Sequence, residues 1–405
     1  MNKRLEKRHI LLCVTGSIAA YKACEIVRLL QHEGAEIQVV MSEAAQRFVS
    51  PLSFETLTGH EVITDLFPAH RTVKTRHVSV AEWADCILIC PATANTIGKI
   101  SVGIADNFLS TVVMASRSPV IFAPAMDYQM VQNAIYLSNC EKLEHLGYRF
   151  VSPEEGELAS GAIGVGRLAE MRRIVETVKS VLLYSDVLKQ IRILVTAGPT
   201  QEFLDPVRYL TNRSSGKMGY AIAEEAVLRG ADVTLISGPT ELHPIQNVRL
   251  IKIQTAEELA HAVKSEWEGH RVLIMAAAVA DFRPSELSSK KIKKGTSEWV
   301  LQLEQTEDIL KSIGEKKRDG VVVGFALETD DGEKNAIQKL HQKKCDLICL
   351  NNSNAPHTGF GQDTNQITFI DREEKIEHLP TMEKWQIAQK ILDRVELLLK
   401  ERVAV

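Results

Sequence analysis

Apolar residues fall along the chain in two alternating textures: short unbroken aliphatic runs, and longer stretches where they recur every three or four positions. Residues 9–15 read as a buried strand. Gly16-Ser17 then turns into an amphipathic helix over 18–33 that Gly34 ends, and a second strand follows at 36–41, giving a right-handed β-α-β opening. Further buried strands are expected at 85–90 and 119–122, with a helix at 171–183. Past a short polar stretch, 184–190, the alternation repeats: strands at 191–196, 232–237, 271–275, 321–325 and 346–350, with helices between. The pattern predicts an α/β fold, two doubly wound Rossmann/flavodoxin-like domains in tandem with mostly parallel sheets, over 1–189 and 190–405. A length of 405 residues suits two cores rather than one.

Charge narrows the partners. A net charge of −4 supplies no global basic field, so neither nucleic acid nor a membrane surface is an expected partner, and any anionic ligand must be held locally. The seven cysteines form no C-x-x-C, and the pairs Cys86/Cys90 and Cys345/Cys349 lack histidines at ligand spacing. They are expected to be buried, reduced thiols of a cytoplasmic protein, without a zinc site. The charged opening, 1–9, precedes only a short apolar strand, which argues against a signal peptide, and no apolar run reaches membrane length.

Candidate chemistry gathers in the loops after strands, where open α/β sheets bind ligands. The densest is 196–219, which carries Arg208, Asn212 and the turn Ser214-Ser215-Gly216-Lys217. It is not a Walker A loop: no glycine stands five residues before Gly216, and Met218 rather than Ser or Thr follows the lysine. The helix start could still offer free N–H groups to a phosphate. In the first half, Gly16-Ser17 in place of G-x-G-x-x-G suits a mononucleotide better than a dinucleotide. The small or polar runs 91–96, 106–111 and 124–127 would outline one crevice with it. The segment 154–166, with four glycines, reads either as an active-site flap or as a surface loop. In the second half, 276–281 is nearly free of bulk, letting backbone approach a base or ribose, and Asp281 could accept from hydroxyls or hold a metal. Lys290, Lys291, Lys293 and Lys294 would be a solvated face in most proteins; in an acidic chain, close after such a strand end, a polyphosphate site is the better reading.

Over essentially the whole chain these residues resemble the bifunctional coenzyme A biosynthesis flavoproteins, a phosphopantothenoylcysteine decarboxylase fused to a phosphopantothenate–cysteine ligase. The ligase likeness rests on Asp205 to Tyr209, Asn212, Ser214 to Gly219, Ala277 to Asp281 and Lys291 to Lys294. The decarboxylase likeness rests on Thr15 to Lys22, Pro91 to Thr96, Asp106-Asn107 and Pro124 to Met126. The resemblance implies that 4'-phosphopantothenate and CTP form an acyl-cytidylate from which cysteine displaces CMP, and that the product is then decarboxylated with FMN as the electron acceptor. It implies catalytic roles for His77, Asp127, Ser160, Arg208, Asn212 and Lys291. It assigns FMN to Gly16, Ser17, Ile18, Ser42, Pro91, Ala92, Thr93, Asn107, Ser110 and Met126. CTP falls to Met275, Ala276, Ala277, Asp281, Lys291, Thr306, Glu307, Asp308, Ile309, Phe325, Lys339 and Lys343. Magnesium would arrive with the CTP phosphates, with Asp281 as a candidate ligand, and the assembly would be a homo-oligomer, a dodecamer.

Two positions depart from the family pattern. Asp127 stands where an asparagine is usual, and Ser160 stands where the flap usually carries a cysteine that protonates the enethiolate. A serine hydroxyl is a far weaker acid than a thiol of pKa about 8.5, and an ionised Asp127 would repel a substrate carboxylate. Changed together, they suggest a coordinated variant in which a protonated Asp127 donates to the carboxylate or supplies the missing proton. The alternative is an active ligase whose first domain binds flavin without completing decarboxylation. A purely non-enzymatic binding module would leave Arg208, Asn212 and Lys291 unused.

Overall fold

The computed structural model describes residues 3–67, 76–293, 299–315, 320–328, 331–352 and 361–403. The chain divides into two compact units, Met1–Leu183 and Tyr184–Val405, each treated by itself below.

In the first unit the elements run β1 (His9–Val14), α1 (Ala23–His32), β2 (Glu36–Met41), α2 (Pro51–Thr58), α3 (Arg76–Trp83), β3 (Cys86–Ala92), α4 (Ala94–Val102), α5 (Phe108–Ala115), β4 (Val120–Pro124), α6 (Tyr128–Val131), α7 (Ala134–His145), β5 (Arg149–Phe150), β6 (Glu154–Glu157), β7 (Ile163–Arg167) and α8 (Met171–Leu183). Five strands form a wholly parallel sheet in the order β2-β1-β3-β4-β5. Successive residues of a central strand serve opposite cores, which is why its sequence is apolar throughout. Ile10, Leu12 and Val14 pack with Ile26 and Leu30 of α1 and Ile174 and Val178 of α8, whereas Leu11 and Cys13 pack with Ile97 of α4 and Val112 of α5. The helix expected over 18–33 begins instead as a 3-10 turn, Ile18–Lys22, because the Ser17 side chain accepts from Ala19 N and tightens the first turn. Strands β6 and β7 pair antiparallel, so the glycine-rich segment expected as a flap or a surface loop is a separate hairpin.

The second unit runs β8 (Arg192–Ala197), β9 (Gln201–Phe203), β10 (Tyr209–Thr211), α9 (Lys217–Leu228), β11 (Asp232–Ser237), β12 (Val248–Lys252), α10 (Ala256–Trp267), β13 (Val272–Met275), β14 (Phe282–Pro284), β15 (Leu303–Gln305), α11 (Ile309–Glu315), β16 (Val321–Glu328), α12 (Gly332–Gln342), β17 (Leu347–Asn352), β18 (Thr364–Asn365), β19 (Ile367–Asp371), β20 (Ile376–His378), β21 (Met382–Glu383) and α13 (Lys384–Val403). Its main sheet is ordered β12-β11-β8-β13-β16-β17-β19-β20. The first six strands are parallel and the last two antiparallel, the doubly wound order with its switch point between β8 and β13. One face is covered by α9 and α13, through Ile222, Ala226, Ile387, Ile391 and Val395, and the other by α10, α11 and α12. Across α9 and α13, Arg229 pairs with Glu225, Asp393 and Glu396 at 3.1, 2.8 and 3.0 Å. Apolar burial at roughly 1.5–3 kcal/mol per large aliphatic side chain outweighs such pairs in holding the helices down; the pairs fix how they lie.

Candidate active sites

In the first unit, a cleft of about 1310 Å³ opens at the carboxyl ends of β1 and β3. Those ends are tied together by Thr15, whose buried hydroxyl donates to Pro91 O at 2.6 Å and accepts from Thr93 N at 3.0 Å. Gly16, Ser17, Ile18, Ser42, Thr93, Asn107, Ser110 and Met126 line the cleft, as do Asp127 and Ser160. Asn107 and Ser110 form a reciprocal capping box at the start of α5, and Thr93 caps α4, so the polar side chains at this rim are held by helix N-termini. A Cβ at Gly16 would stand 2.4 Å from that of Ala44, so the wall there closes to backbone thickness and suits a flat ring. Pro91 and Ala92 are buried in the end of β3 and do not line the cleft. His77 sits half-buried on α3, which packs beside α5, and is likewise not among the lining residues. The cleft also brings in Thr64, Asp65 and Lys99, which no local motif announces; Lys99 pairs with Asp106 at 2.7 Å, and its ammonium holds the Asp106 carboxyl below the usual range.

The flap is latched to the sheet edge. Met126 N donates to Gly166 O at 3.0 Å, and a Cβ on Gly166 would lie 2.2 Å from Met126 O. At its turn, the Ser160 hydroxyl donates to Asp127 Oδ2 at 3.0 Å, so the two unusual residues touch each other. The other oxygen of Asp127 caps α6 by accepting from Gln129 N at 3.0 Å.

In the second unit, the loops after β8 and β13 are stitched together at the switch point. Buried Thr200 donates its N–H to Ala278 O at 3.2 Å, and its hydroxyl accepts from Ala280 N at 3.0 Å. Asn212 donates both amide protons, to Ala278 O at 3.2 Å and Val279 O at 2.9 Å, which leaves its carbonyl oxygen as the group available to a ligand. Thr306 joins from the other side, through its N–H to Asp281 O at 3.0 Å and its hydroxyl to Ala280 O at 2.6 Å. Lys339 donates to Phe325 O at 3.0 Å, and Lys343 pairs with Asp308 at 3.2 Å. Burial, with the Lys343 charge adding to it, pulls the Lys339 ammonium below the usual lysine range. Met275 and Ile309 are buried, Ala276 and Ala277 are half-buried, and Glu307 is turned to Lys264 at 2.6 Å. Lys217 is tied to Asp363 at 2.6 Å and Gly361 O at 3.1 Å, so the lysine of the Ser-Ser-Gly-Lys turn holds a loop. Lys291 is exposed and has no partner among the described residues. Lys294 lies outside them.

Among the described residues no three His, Cys, Asp or Glu side chains gather as a metal site, and no helix is long and apolar enough to cross a membrane. All seven cysteines are free, and burial pushes the Cys86 thiol up to about 12.

The model of the DNA/pantothenate metabolism flavoprotein C-terminal domain matches residues 188–398, and the flavoprotein model matches 1–183. The coenzyme A biosynthesis bifunctional protein CoaBC of Bacillus subtilis (strain 168) is 44% identical over 400 residues, 98% of each chain. The chain belongs to the bifunctional coenzyme A biosynthesis flavoproteins. The corresponding protein of Vibrio vulnificus (strain YJ016) is 38% identical over 399 residues, 98% of this chain and 99% of its own. A protein named cysteine/cysteine sulfinic acid decarboxylase, from an unknown prokaryotic organism, is 42% identical over 353 residues, 86% of this chain and 98% of its own. As a member of the bifunctional flavoproteins the chain is an enzyme of coenzyme A biosynthesis.

Proposed function

We propose that the second unit joins 4'-phosphopantothenate to cysteine at the expense of CTP, and that the first decarboxylates the resulting 4'-phosphopantothenoylcysteine to 4'-phosphopantetheine with FMN. The observation that supports this reading is the stitching of Asn212 to the bulk-free segment that ends in Asp281, with Thr306 bonded to that segment and the cations Lys339 and Lys343 held at Phe325 and Asp308. A carboxylate is a poor electrophile. Attack by the 4'-phosphopantothenate carboxylate on the α-phosphorus of CTP expels pyrophosphate and leaves an acyl-cytidylate; the cysteine amine then attacks the acyl carbon and CMP departs. Lys291, Lys339 and Lys343 offset the charge that develops on phosphate oxygens. Asn212 handles the acyl intermediate, and Asp281 would help to hold the magnesium that arrives with the triphosphate, which would offset phosphate charge.

In the first unit, the backbone-thin wall at Gly16 and the capped hydroxyls and amides of the rim fit FMN. The flavin, when bound, supplies the two-electron oxidation that lets the substrate release CO2 and the reduction that follows. Asp127 holds or donates the proton that the family's cysteine would give, with Ser160 as its hydrogen-bond partner. The same bond favours a second reading, in which the first unit binds flavin without completing the reaction, because the Ser160 proton is directed to Asp127. No step is assigned to His77. The protein acts in the cytoplasm as a homo-oligomer, a dodecamer, which sedimentation would test.

The deciding experiment purifies the full chain, records its visible spectrum and supplies CTP, phosphopantothenate and cysteine. Flavin absorbance, amide and CO2 together support the two-step reading; amide without CO2 supports the second. Colour without CTP-dependent amide overturns the ligase.

Two further outcomes follow from the geometry. Gly166→Ala forces its Cβ onto Met126 O, and overpacking of this kind costs about 1–3 kcal/mol, roughly 5- to 150-fold in an equilibrium. The variant is expected to hold flavin more weakly by that factor, read from flavin absorbance on dilution; unchanged retention would show that the flap does not close the flavin site. Lys339 must be protonated to meet a triphosphate, and its lowered pKa means that the charge is lost as pH rises, sooner than for an ordinary lysine near 10.4. The KM for CTP is therefore expected to rise on the alkaline side below that value, and Lys339→Arg to flatten the rise. A CTP KM flat to pH 10 in the unaltered enzyme removes Lys339 from the site.

A further inference from the structure

Asp205 has no role in the chemistry above, yet its carboxylate is fully buried and takes five hydrogen bonds. Three come from its own loop and its arginine side chain's first nitrogen: Val207 N at 2.8 Å, Arg208 N at 3.0 Å and Arg208 Nε at 3.0 Å. A fourth comes from Arg208 Nη2 at 2.6 Å. The fifth comes from Ile292 N at 3.1 Å, eighty-seven residues along the chain. Arg208 completes the hold by donating to Ile292 O, with the Trp299 ring centroid 5.7 Å from its guanidinium. Both backbone groups of Ile292 are thus gripped by one ion pair, while Lys291 and Lys293 on either side of it are exposed.

Little else fixes this segment. Among the described residues, Ile292 is only half-buried, Leu287 is exposed, Ser288 N donates to Leu204 O at 3.1 Å, again in the Asp205 loop, and the bonds of the Ser288 hydroxyl to Lys290 O and N at 2.7 and 3.4 Å stay within the segment. Lysine side chains have several rotatable bonds, so a cation meant to meet a developing phosphate charge gains from a fixed backbone on which to stand. Burial alone would push the Asp205 carboxyl up, but the N–H groups of Val207, Ile292 and Arg208 and the guanidinium outweigh it and bring it down to about 2, so the clamp stays charged at any working pH.

We propose that Asp205 is a positioning residue of the ligase, which acts through the Ile292 backbone to set where Lys291 and Lys293 stand, with Arg208 as the other jaw of the clamp rather than a substrate ligand. The proposal rests on the ligase reading for its kinetic consequence only.

The test uses the full chain with Asp205→Asn, Arg208→Gln, Lys291→Ala and the double variant Asp205→Asn with Lys291→Ala. Amide hydrogen exchange over 288–293 is expected to quicken at least about tenfold in the first two variants. The kcat for amide formation should fall about 10- to 100-fold with the KM for CTP within about threefold, as for a misplaced catalytic group. The double variant should be within about twofold of Lys291→Ala alone, because the clamp acts through that lysine. Unchanged exchange, or losses that multiply as for independent defects, would overturn the proposal. If Asp205→Asn does not fold, Arg208→Gln carries the test, since it leaves three backbone donors on Asp205. Should the unaltered enzyme make no CTP-dependent amide, the ligase reading fails by itself, and the exchange arm still decides whether the clamp exists.

Discussion

Asn212→Asp is expected to form the acyl-cytidylate and then stall, with amide formation down about 10²- to 10³-fold, the usual cost of removing one oriented polar group from a transition-state site. The amide of Asn212 spends both protons on Ala278 O and Val279 O, 3.2 and 2.9 Å away, and so joins the loop after β8 to the one after β13. An aspartate of the same shape has no proton to give at neutral pH. It would set a carboxylate against two carbonyl oxygens and turn a second anionic oxygen toward a ligand that already carries a phosphate. On the proposed reading the first chemical step draws on the cations Lys291, Lys339 and Lys343, which the substitution leaves in place, so CTP should still be cleaved in a single turnover. Mass spectrometry of the quenched reaction should find the cytidylate accumulating. Asn212→Ala separates the two effects: it loses the stitch without adding charge and should stall less completely. Amide formation by Asn212→Asp within about threefold of normal would remove Asn212 from the acyl-transfer step.

Both sheets were legible because strands buried on two faces leave little room for polar residues, so the runs at β1, β3, β8 and β13 announce themselves. The loops after them were legible for a related reason: small and polar residues at strand ends stand out against the runs they follow. What stayed hidden depends on contacts between distant parts of the chain. Nothing local marks Thr64, Asp65 or Lys99 as cleft residues; the sheet order alone brings them beside Gly16. The antiparallel pair β19 and β20, which extends the second sheet, is too short and too mixed in polarity to read as strand. Arg208 was visible as a charged loop residue, but its partner is a carboxylate whose other task lies eighty-seven residues away. Nothing local ties Lys217, in the Ser-Ser-Gly-Lys turn, to the distant loop at Gly361 and Asp363 that claims it. The two departures from the family pattern were visible singly in the sequence; that they are hydrogen-bonded to one another was not.

Asp127→Ala is expected to abolish CO2 release, by about 10²-fold or more, while CTP turnover and amide formation are untouched. The magnitude is that of a lost general acid. Asp127 and Ser160 are 3.0 Å apart at the flap turn, and both line the cleft. Of the two, the carboxyl group is by far the stronger acid, so on the proposed two-step reading the proton that the family draws from a thiol comes from Asp127. Ser160→Ala should therefore cost less than Asp127→Ala. Loss of the α6 cap is a competing explanation, worth about 0.5–2 kcal/mol of local stability. Asp127→Asn excludes it, because asparagine caps equally well and restores the residue usual in the family, yet it cannot supply the proton. That single change should fail like Asp127→Ala, whereas Asp127→Asn combined with Ser160→Cys rebuilds the family's amide and thiol and should recover CO2 release. Decarboxylation that survives Asp127→Ala, or a single Asp127→Asn as active as the double variant, would mean that the proton comes from elsewhere in the cleft.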